Sequence, residues 1–404
     1  MRVAPIPPKG SAATEVLAEL QSAKRHDLDW HSGKTNFYVQ FGGDDVLQVA
    51  RDAANLYFSE NAHSAKAFPS LRQLQDDVLG WVLSLLGASS ESDGCFTASG
   101  SESIFVAMKV ARDWARARNP FIGVPKVIIP RSAHPAFDKA GANLGMEVVR
   151  VPLGADYRAD VDAIAERICT RTVMLGASAP QLPHGVIDPI EAIAELAINR
   201  NLWLHVDACI GAMIAPFARA IGVAVPRFDF SVAGVRSISA DLHKYGFAAK
   251  GASAILFRHH CWKPLYTFEF DDWPIGTYTS TLLAGTRPGG PIASAWAVIR
   301  YLGEEGYTRI AREIFGARDR LLDGFEKIEG IRPVCRPDLS VLAYSSENVA
   351  IPALAAEMEK RSWLVKTMVD PAAVHLGMLT MHQVPVVDEY LSDLEDIIGQ
   401  IRRK

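Results

Sequence analysis

Short apolar segments alternate with helical patterns between residues 94 and 257, and this alternation limits the possible folds more than any other feature of the chain. The apolar segments are strand candidates, since they are short and rich in residues that favour strands. They occupy residues 126–129, 147–151, 173–176, 202–206, 230–233 and 253–257. Strands that alternate with helices form a mostly parallel sheet covered by helices on both faces. The sequence therefore predicts an α/β fold, with ligand-binding side chains where the strands end in loops.

Two further regions flank this alternating part of the chain. The first sixty residues begin with several prolines and continue with two helical patterns, so they are typical of an arm that folds against another surface. After residue 290 a helical stretch leads to a break at Gly330, and strand and helix patterns then alternate again. We predict an N-terminal arm with helices at 1–60, a large ligand-binding domain at 61–290, linking helices at 291–330 and a small α+β domain at 331–404.

The composition argues against several classes of function. The 404 residues include 42 Lys and Arg against 46 Asp and Glu, and a net charge of −4 with scattered basic residues makes nucleic acid an improbable partner. No apolar stretch reaches the length of a secretory signal or the roughly 18 residues of a membrane span. The five cysteines lie far apart without a CxxC pair, which predicts free thiols and a cytoplasmic location.

Two groups of histidines are weak candidates for metal ligands. His259 and His260 precede Cys261 directly, so these side chains diverge on an extended chain. His375 and His382 lack an acidic or thiol partner at the spacing of metal ligands. We therefore expect no metal site. The sequence also lacks a G-x-S-x-G elbow and a phosphate-binding G-x-x-x-x-G-K loop.

Lys244 lies between an imidazole and an aromatic ring, in the segment 241–251 that follows the mostly apolar run 230–238. A buried or half-buried lysine can lose its proton near neutral pH and attack an aldehyde, as in enzymes that hold pyridoxal phosphate through a Schiff base. The alternative is an unpaired lysine in a surface loop, which a strand followed by His-Lys and small residues makes a poor explanation. We predict that Lys244 carries pyridoxal phosphate, with His243 and Ser239 directed toward the phosphate.

A turn of small residues at 97–103 precedes a helical pattern. Such a turn offers free backbone N–H groups and the positive end of the helix dipole, which together suit a phosphate. The alternative is an ordinary helix cap formed by Ser99 or Ser101. The neighbouring motifs favour the phosphate site at Ser99, Gly100 and Ser101.

Three further positions could contact the same cofactor, and each has a plain structural alternative. Asp207 ends a strand candidate and could pair with a protonated pyridine nitrogen, although such an aspartate is often a cap or turn residue. His134 could stack on a flat ring, although a lone histidine is often structural. The turn 285–290 offers Thr286 and the guanidinium of Arg287, which suits a carboxylate or phosphate, or it is an ordinary surface turn.

Taken together, these motifs resemble the sphingosine-1-phosphate lyase family, in the group II decarboxylase branch of fold type I pyridoxal-phosphate enzymes. The resemblance extends from about residue 28 to the C-terminus and is most specific at 134–140 with 149–152, at 180–189 and at 245–251. It implies a mostly parallel central sheet with helices on both faces and a small C-terminal α+β domain. It also implies a homodimer with the active site at the subunit interface.

The resemblance implies roles for individual residues. Lys244 would form the Schiff base, Asp207 would pair with the pyridine nitrogen, and His134 and Ala208 would lie on the two faces of the ring. The residues expected to contact the cofactor are Ser99, Gly100, Ser101, His134, Asp207, Ala208, Ser239, His243, Lys244, Gly285 and Thr286. The residues expected to contact substrate are His63, Tyr245, Lys250 and Arg287, with Lys250 a candidate for a substrate phosphate.

The sequence departs from the family pattern at Ala62, Ser64, Ala65 and Ala249, and also at Ser99 and Phe247. Ser99 stands where a glycine is usual, which is harmless unless the backbone needs a positive φ. Phe247 stands in place of a tyrosine between Lys244 and Lys250.

The activity implied by the resemblance is cleavage of the C2–C3 bond of a phosphorylated long-chain base, which yields a fatty aldehyde and phosphoethanolamine. A base must remove the 3-hydroxyl proton, and His134, His243 and a phosphate oxygen are all open candidates. The alternative is an α-decarboxylase for an aromatic amino acid, glutamate or aspartate, because the sequence does not show which substrate bond stands perpendicular to the ring. A non-catalytic scaffold is a remote alternative, since Lys244, Asp207 and His134 are present together.

Overall fold

The computed structural model describes residues 3–35 and 38–402 and is built around a seven-stranded sheet. The strands are β1 Asp93–Thr97, β2 Lys126–Pro130, β3 Glu147–Val151, β4 Thr172–Ser178, β5 Trp203–Asp207, β6 Val235–Ala240 and β7 Ser253–Phe257. They lie in the order β1-β7-β6-β5-β4-β2-β3, in which β7 is antiparallel to both neighbours and the other pairs are parallel. The prediction of a mostly parallel α/β sheet is confirmed.

The remaining elements cover this sheet and form a second, smaller one. The helices are α1 Ala13–Ala23, α2 Asp44–Leu56, α3 Pro69–Leu85, α4 Gly100–Arg118, α5 Ala136–Leu144, α6 Val161–Arg167, α7 Ile190–Asn199, α8 Ala215–Ala220, α9 Lys263–Tyr266, α10 Gly289–Lys327, α11 Ile351–Lys360 and α12 Val387–Arg402. A hairpin joins β8 Phe268–Phe270 to β9 Tyr278–Ser280. The second sheet is antiparallel, in the order β10-β11-β13-β12, and comprises β10 Ile331–Pro333, β11 Val341–Ser346, β12 Lys366–Val369 and β13 Ala372–Met378. Among the described residues, no helix combines the length and the apolar character needed to cross a bilayer.

Side chains of β5 alternate between two hydrophobic cores, as the two-residue period of a strand requires. Leu204 and Val206 belong to the core that also contains apolar residues of α7, α8 and α10. Trp203 belongs to the other core, where its ring meets Trp114 of α4 edge-on at 5.9 Å. Because both faces of the strand are buried, its polar side chains lie either within a hydrogen-bond network or at its end.

The predicted strand at 230–233 is wrong, because the strand begins at Val235 instead. Phe230 and Val232 are buried, but they fill the core from a turn. Arg258 Nη2 donates to the carbonyls of both residues, at 3.0 and 2.6 Å, so this turn is satisfied without a strand partner. Apolar character alone therefore predicted the burial correctly and the backbone conformation incorrectly.

Helix α10 connects the regions that the sequence separates. It packs against α2, α3, β10 and α12, and its backbone is non-helical at Gly303, with φ 54°. The four-part division at residues 60, 290 and 330 remains our proposal.

A bidentate ion pair connects a loop of the large sheet to the segment that precedes β11. Arg158 Nη1 and Nη2 donate to Asp338 Oδ2 and Oδ1, at 2.8 and 3.1 Å. The same carboxylate accepts from the backbone N–H of Ile187 at 2.6 Å. The side chains of Arg158 and Asp338 are only 26% and 13% exposed, so the pair is largely removed from water. Removing one partner of a desolvated, hydrogen-bonded ion pair costs more stability than removing one partner of an exposed pair.

We expect Asp338→Asn to lower the free energy of unfolding by about 2 kcal/mol, because it leaves a partly buried guanidinium with only the more exposed Asp156 as its counter-charge. Urea unfolding followed by circular dichroism measures this change. The matched control is Asp388→Asn, which removes an 81% exposed carboxylate paired with Arg320 and should change stability by no more than about 0.5 kcal/mol. Equal stability of Asp338→Asn and the unsubstituted protein would contradict the assignment.

Candidate active site

Most of the predicted cofactor residues meet at the carboxyl ends of the parallel strands. Asp207 is the last residue of β5, and its partner in the neighbouring strand β6 is Ser239. Lys244 follows the end of β6, and His134 follows the end of β2. The N-terminus of α4 lies beside them, because a side chain at Gly100 would touch both Cys209 and Asp241. The parallel topology thus brings together residues that are far apart in sequence, such as Ser99 and Lys244, which are separated by 145 positions.

The ammonium of Lys244 is paired with a buried carboxylate. Its Nζ lies 3.0 Å from Asp241 Oδ2, and the Asp241 side chain is only 4% exposed. Burial alone lowers the pKa of Lys244, but Asp241, assisted by the nearby Cys209 and Asp207, outweighs burial and raises this pKa above its ordinary value. The general expectation that burial frees the lysine of its proton is therefore wrong for the protein without cofactor. Lys244 is held here as an ammonium.

Asp241 is the residue that sequence reasoning missed. Burial raises its pKa, yet the charges of Lys244 and His243 and a hydrogen bond from Ser253 Oγ outweigh burial and hold the pKa below its usual value. The His243 Nε2 atom lies 3.7 Å from Asp241 Oδ2. A carboxylate three residues before the reactive lysine, directly after a strand, was the available signal.

The turn before α4 has the geometry of a phosphate seat. Ser99 caps the helix, since its Oγ accepts from the backbone N–H of Glu102 at 3.2 Å. Its φ of −165° is extended, so serine in place of the usual glycine causes no strain. A Cβ at Gly100 would lie 2.5 Å from Cys209 Sγ and 3.0 Å from Asp241 Oδ1, so only glycine fits there. Gly100 and Ser101, at the start of the helix, have backbone N–H groups that no helical carbonyl can satisfy.

Asp207 and Ala208 lie at the end of β5 and directly after it, and His134 follows the end of β2. Asp207 Oδ1 accepts from the Cys209 backbone N–H at 3.1 Å, and the carboxylate remains partly exposed at the strand end. Ala208 is fully buried. The exposed ring of His134 accepts at Nδ1 from the Ala136 N–H at 3.1 Å, which places the proton of the neutral ring on Nε2.

Ser239 does not reach the cofactor side. Its Oγ bonds to His205 Nε2 at 2.9 Å, and the other ring nitrogen bonds to Ser237 Oγ at 2.8 Å. Ser237, Ser239 and His205 are fully buried. Ser239 therefore belongs to a network behind Asp207, and our prediction that it is directed toward the phosphate is corrected, because its hydroxyl has another partner.

Tyr245 does not face a ligand either. It is fully buried, and its hydroxyl bonds to Ser340 Oγ and donates to the Leu379 carbonyl at 2.8 Å. The predicted contact with substrate is therefore corrected. The tyrosine anchors the lysine segment to residues beside β11 and β13.

Arg287 is engaged with the segment that carries His63. Its Nη1 donates to Gln75 Oε1 at 2.8 Å, and its Nη2 donates to the Ala62 carbonyl at 2.7 Å. Its backbone N–H donates to Asn61 Oδ1 at 3.1 Å. In this structure the guanidinium holds the Asn61–Ala62 turn, and the expected substrate contact is replaced by a positioning role.

The other expected substrate residues lie at the rim. His63 is exposed and stacks on Tyr278, with ring centres 5.7 Å apart. Gly285 is half-buried beside the same ring, with Tyr278 Oη 3.1 Å from the position of a Cβ. Thr286 is exposed and lines a small cavity of about 40 Å³ together with Gly251 and Ala98. The rim thus connects the phosphate turn to the 285–287 segment.

Lys250 is the second cation of the lysine segment. Its Nζ bonds to Gln40 Oε1 and lies 3.3 Å from the His243 carbonyl. Its side chain reaches solvent, but partial burial and the charge of Lys244 lower the pKa of Lys250 to about 8. Phe247 lies between the two lysines with a left-handed φ of 55°, an unusual conformation for a bulky residue. The segment between Lys244 and Lys250 therefore has a specific backbone conformation at Phe247.

These residues fit pyridoxal phosphate. The phosphate seat at Gly100, the lysine beside it and the carboxylate at the end of β5 match the three polar parts of the cofactor. In the described part of the chain, the buried Oγ of Ser132 has no hydrogen-bond partner, and it lies two residues before His134. A polar group left without a partner at this edge is consistent with a polar ligand there.

Comparison with known proteins agrees with this geometry. A model of the pyridoxal-dependent decarboxylase conserved domain matches residues 28–334. A sphingosine-1-phosphate lyase of Arabidopsis thaliana is 36% identical over 405 residues, which cover 98% of this chain and 74% of that protein. Sphingosine-1-phosphate lyase 1 of Rattus norvegicus is 36% identical over 400 residues, with 98% and 70% covered. The solved structure of the sphingosine-1-phosphate lyase of Burkholderia pseudomallei K96243 gives a TM-score of 0.94 at 32% identity and covers 98% of this chain and 93% of that one.

We expect Asp241→Asn to shift the pH profile of pyridoxal phosphate capture to lower pH by about one unit or more. The carboxylate raises the pKa of Lys244, so its removal lowers this pKa and makes the neutral amine available at lower pH. The rate at which the cofactor-free protein develops the absorbance of the lysine-bound cofactor measures the shift.

The matched control for this experiment is Ser253→Ala, which removes a hydrogen bond to Asp241 but leaves its charge in place. Its profile should stay closer to that of the unsubstituted protein. An unchanged profile for Asp241→Asn would show that the carboxylate does not control the lysine.

Proposed function

Because the chain belongs to the pyridoxal-dependent decarboxylase family, we propose that it is a carbon–carbon lyase that acts on phosphorylated long-chain bases. It cleaves the C2–C3 bond of a substrate of the sphingosine 1-phosphate type, which yields a fatty aldehyde and phosphoethanolamine. The observation that carries this conclusion is the near full-length similarity to sphingosine-1-phosphate lyases, in a structure that places Lys244 and Asp207 at one sheet edge.

The residues at the sheet edge have separate tasks in holding pyridoxal phosphate. The bound cofactor supplies a cationic ring that accepts electrons from the substrate carbon. Lys244 would hold the cofactor covalently, and Asp207 would pair with the pyridine nitrogen and favour its protonated form. His134 and Ala208 would contact the ring. The N–H groups of Gly100 and Ser101 would hold the phosphate with the cap at Ser99, while His243 and Thr286 lie near this site.

Hydrogen bonding separates the candidates for the base. His134 already accepts a hydrogen bond at Nδ1, so its neutral ring offers only a donor at Nε2. His243 Nδ1 bonds to the Ala252 carbonyl at 2.7 Å, which leaves Nε2 as the acceptor in the neutral ring. Burial lowers the pKa of His243, although Asp241 opposes this effect, so the neutral ring is favoured near pH 7. His243 or a phosphate oxygen therefore fits the role of base better than His134 does.

Asp241 stabilises the protonated form of Lys244. Its carboxylate lies 3.0 Å from the Lys244 amine and would hold this amine as an ammonium whenever the amine is not bonded to the cofactor. Asp241 is thus a positioning residue for Lys244.

We also propose that the protein is a homodimer. None of the residues of α1 is buried, and its apolar Val16, Leu17 and Leu20 are 43%, 65% and 60% exposed. An apolar helix face of this kind requires a covering surface, and a second copy supplies it. The spacing of the cysteines supports a cytoplasmic location as a further proposal.

We expect the purified, cofactor-loaded protein to release a long-chain aldehyde from sphingosine 1-phosphate and no carbon dioxide from aromatic amino acids, glutamate or aspartate. Lys244→Ala should abolish aldehyde formation and the visible absorbance of the lysine-bound cofactor, because the variant lacks the amine that forms the Schiff base. Aldehyde is measured by mass spectrometry after derivatisation. Carbon dioxide without aldehyde would replace the lyase by a decarboxylase, and an unsubstituted protein that binds no cofactor would favour the scaffold.

We expect KM for the phosphorylated base to rise above about pH 8, because Lys250 loses the charge that attracts the substrate phosphate as pH passes its pKa. Lys250→Arg keeps the cation above that pH and should flatten the rise. Lys250→Met should raise KM about tenfold at pH 7 with a smaller effect on kcat. The control is Lys360→Met on the exposed face of α11, which should leave KM unchanged. If the Lys250 variants had the same KM as the unsubstituted protein, Lys250 would not bind the substrate phosphate.

A further inference from the structure

A second cavity lies at the opposite edge of the sheet from the proposed active site. It has a volume of about 480 Å³ and is formed by the end of α4, the loop between α6 and β4, and the turn between α7 and β5. These segments lie at the amino ends of β4 and β5, whereas Asp207 lies at the carboxyl end of β5. The cavity is therefore separate from the cofactor residues and from Lys250.

The lining of this cavity is basic. Arg118 and Arg200 contribute guanidinium groups, and none of the described lining residues is acidic. The Arg118 guanidinium lies 4.1 Å from the centre of the Trp114 ring. A third guanidinium, that of Arg236 in β6, lies 4.3 Å from the same ring and donates from Nη2 to Asn201 Oδ1 at 3.1 Å. Two guanidinium groups, those of Arg118 and Arg236, thus contact the Trp114 ring, and a third, that of Arg200, lies in the same lining.

The charge of Arg236 is compensated only in part, by the rings of Trp114 and Trp203 at 4.3 and 5.8 Å. Its Nη1 is buried without a hydrogen-bond partner in the part of the chain that the structure describes. Burial, together with the charge of Arg118, lowers the pKa of Arg236 to about 10. A buried donor without a partner and without a counter-ion is costly and rare in folded proteins.

The ends of helices explain only part of this charge. Arg118 Nη1 donates to the Trp114 carbonyl at 2.9 Å in the last turn of α4, as expected for a cation near a helix C-terminus. Arg236 is the second residue of β6, an inner strand of the sheet, so it lies at no helix end. The charge cluster therefore requires an explanation beyond helix capping.

We propose that this cavity binds a small organic phosphate, held by Arg118 and Arg200 with Arg236 behind them. A phosphate presents several acceptor oxygens and matches the forked donors of more than one guanidinium. The hydroxyl of Thr170 provides a further polar contact at the wall, and Ile122 and Ile168 provide an apolar surface for the organic part. This site is additional to the lyase activity and does not depend on it.

Cys169 provides a reporter inside the cavity. Its thiol is exposed and lines the wall. The backbone N–H of Arg171 and the hydroxyl of Thr172 lower its pKa, which favours the thiolate form that alkylating reagents attack. Cys261 is also exposed but does not line this cavity, so it is an internal reference.

The experiment follows alkylation of Cys169 and Cys261 by iodoacetamide in the cofactor-loaded protein, with peptides quantified by mass spectrometry. Glycerol phosphate and inorganic phosphate are titrated against sodium chloride at matched ionic strength. We expect both phosphates to slow Cys169 alkylation several-fold and to leave Cys261 unchanged. Arg118→Gln and Arg200→Gln should each raise the half-protecting concentration about tenfold.

Arg116→Gln is the matched control, since it removes the same charge from an exposed position of α4 that does not line the cavity. It should leave protection unchanged, and thermal unfolding verifies that all variants are folded. Equal slowing by chloride, or full protection in an Arg118→Gln/Arg200→Gln double variant, would overturn the proposal. Protection by citrate but not by phosphate would overturn the assignment to phosphates.

Discussion

The contact between Lys244 and Asp241 determines how the rest of the active edge is arranged. An ammonium and a carboxylate that are both withdrawn from water must be paired, because either charge alone would be costly there. Ser253 and His243 complete the surroundings of the carboxylate, and Gly100 can approach it only because it has no side chain. The helix that begins at Gly100, the strand end that carries Ser253 and the lysine segment are thus fixed relative to one another by one ion pair.

The sequence predicted the sheet and the residues at its edge because both depend on local patterns. Apolar runs separated by helical stretches imply parallel strands, and parallel strands place Asp207 and Lys244 side by side whatever the loops between them do. The approximate positions of most strands followed from the same patterns. The similarity to lyases then confirmed the cofactor and the family.

The directions of individual side chains could not be predicted in this way. Tyr245 and Ser239 were expected to contact the ligand. Instead, the hydroxyl of Tyr245 bonds to Ser340 and the hydroxyl of Ser239 bonds to His205, and both partners are far away in sequence. Arg287 was expected to bind an anion, yet it binds the backbone of Ala62 instead. Such choices depend on long-range contacts, and a polar residue beside a motif has no local feature that distinguishes a ligand contact from a structural one.

The anchoring of Tyr245 makes the small sheet a mechanical support for the reactive lysine. Tyr245 follows Lys244 directly in the chain. Its hydroxyl is hydrogen-bonded to Ser340, just before β11, and to the carbonyl of Leu379, just after β13. A displacement of these strands is therefore transmitted to the lysine through a rigid ring rather than through a flexible loop. Substitutions in the carboxyl-terminal part of the chain, remote from the cofactor residues, can alter the reach of the amine and so tune the enzyme without touching its chemistry.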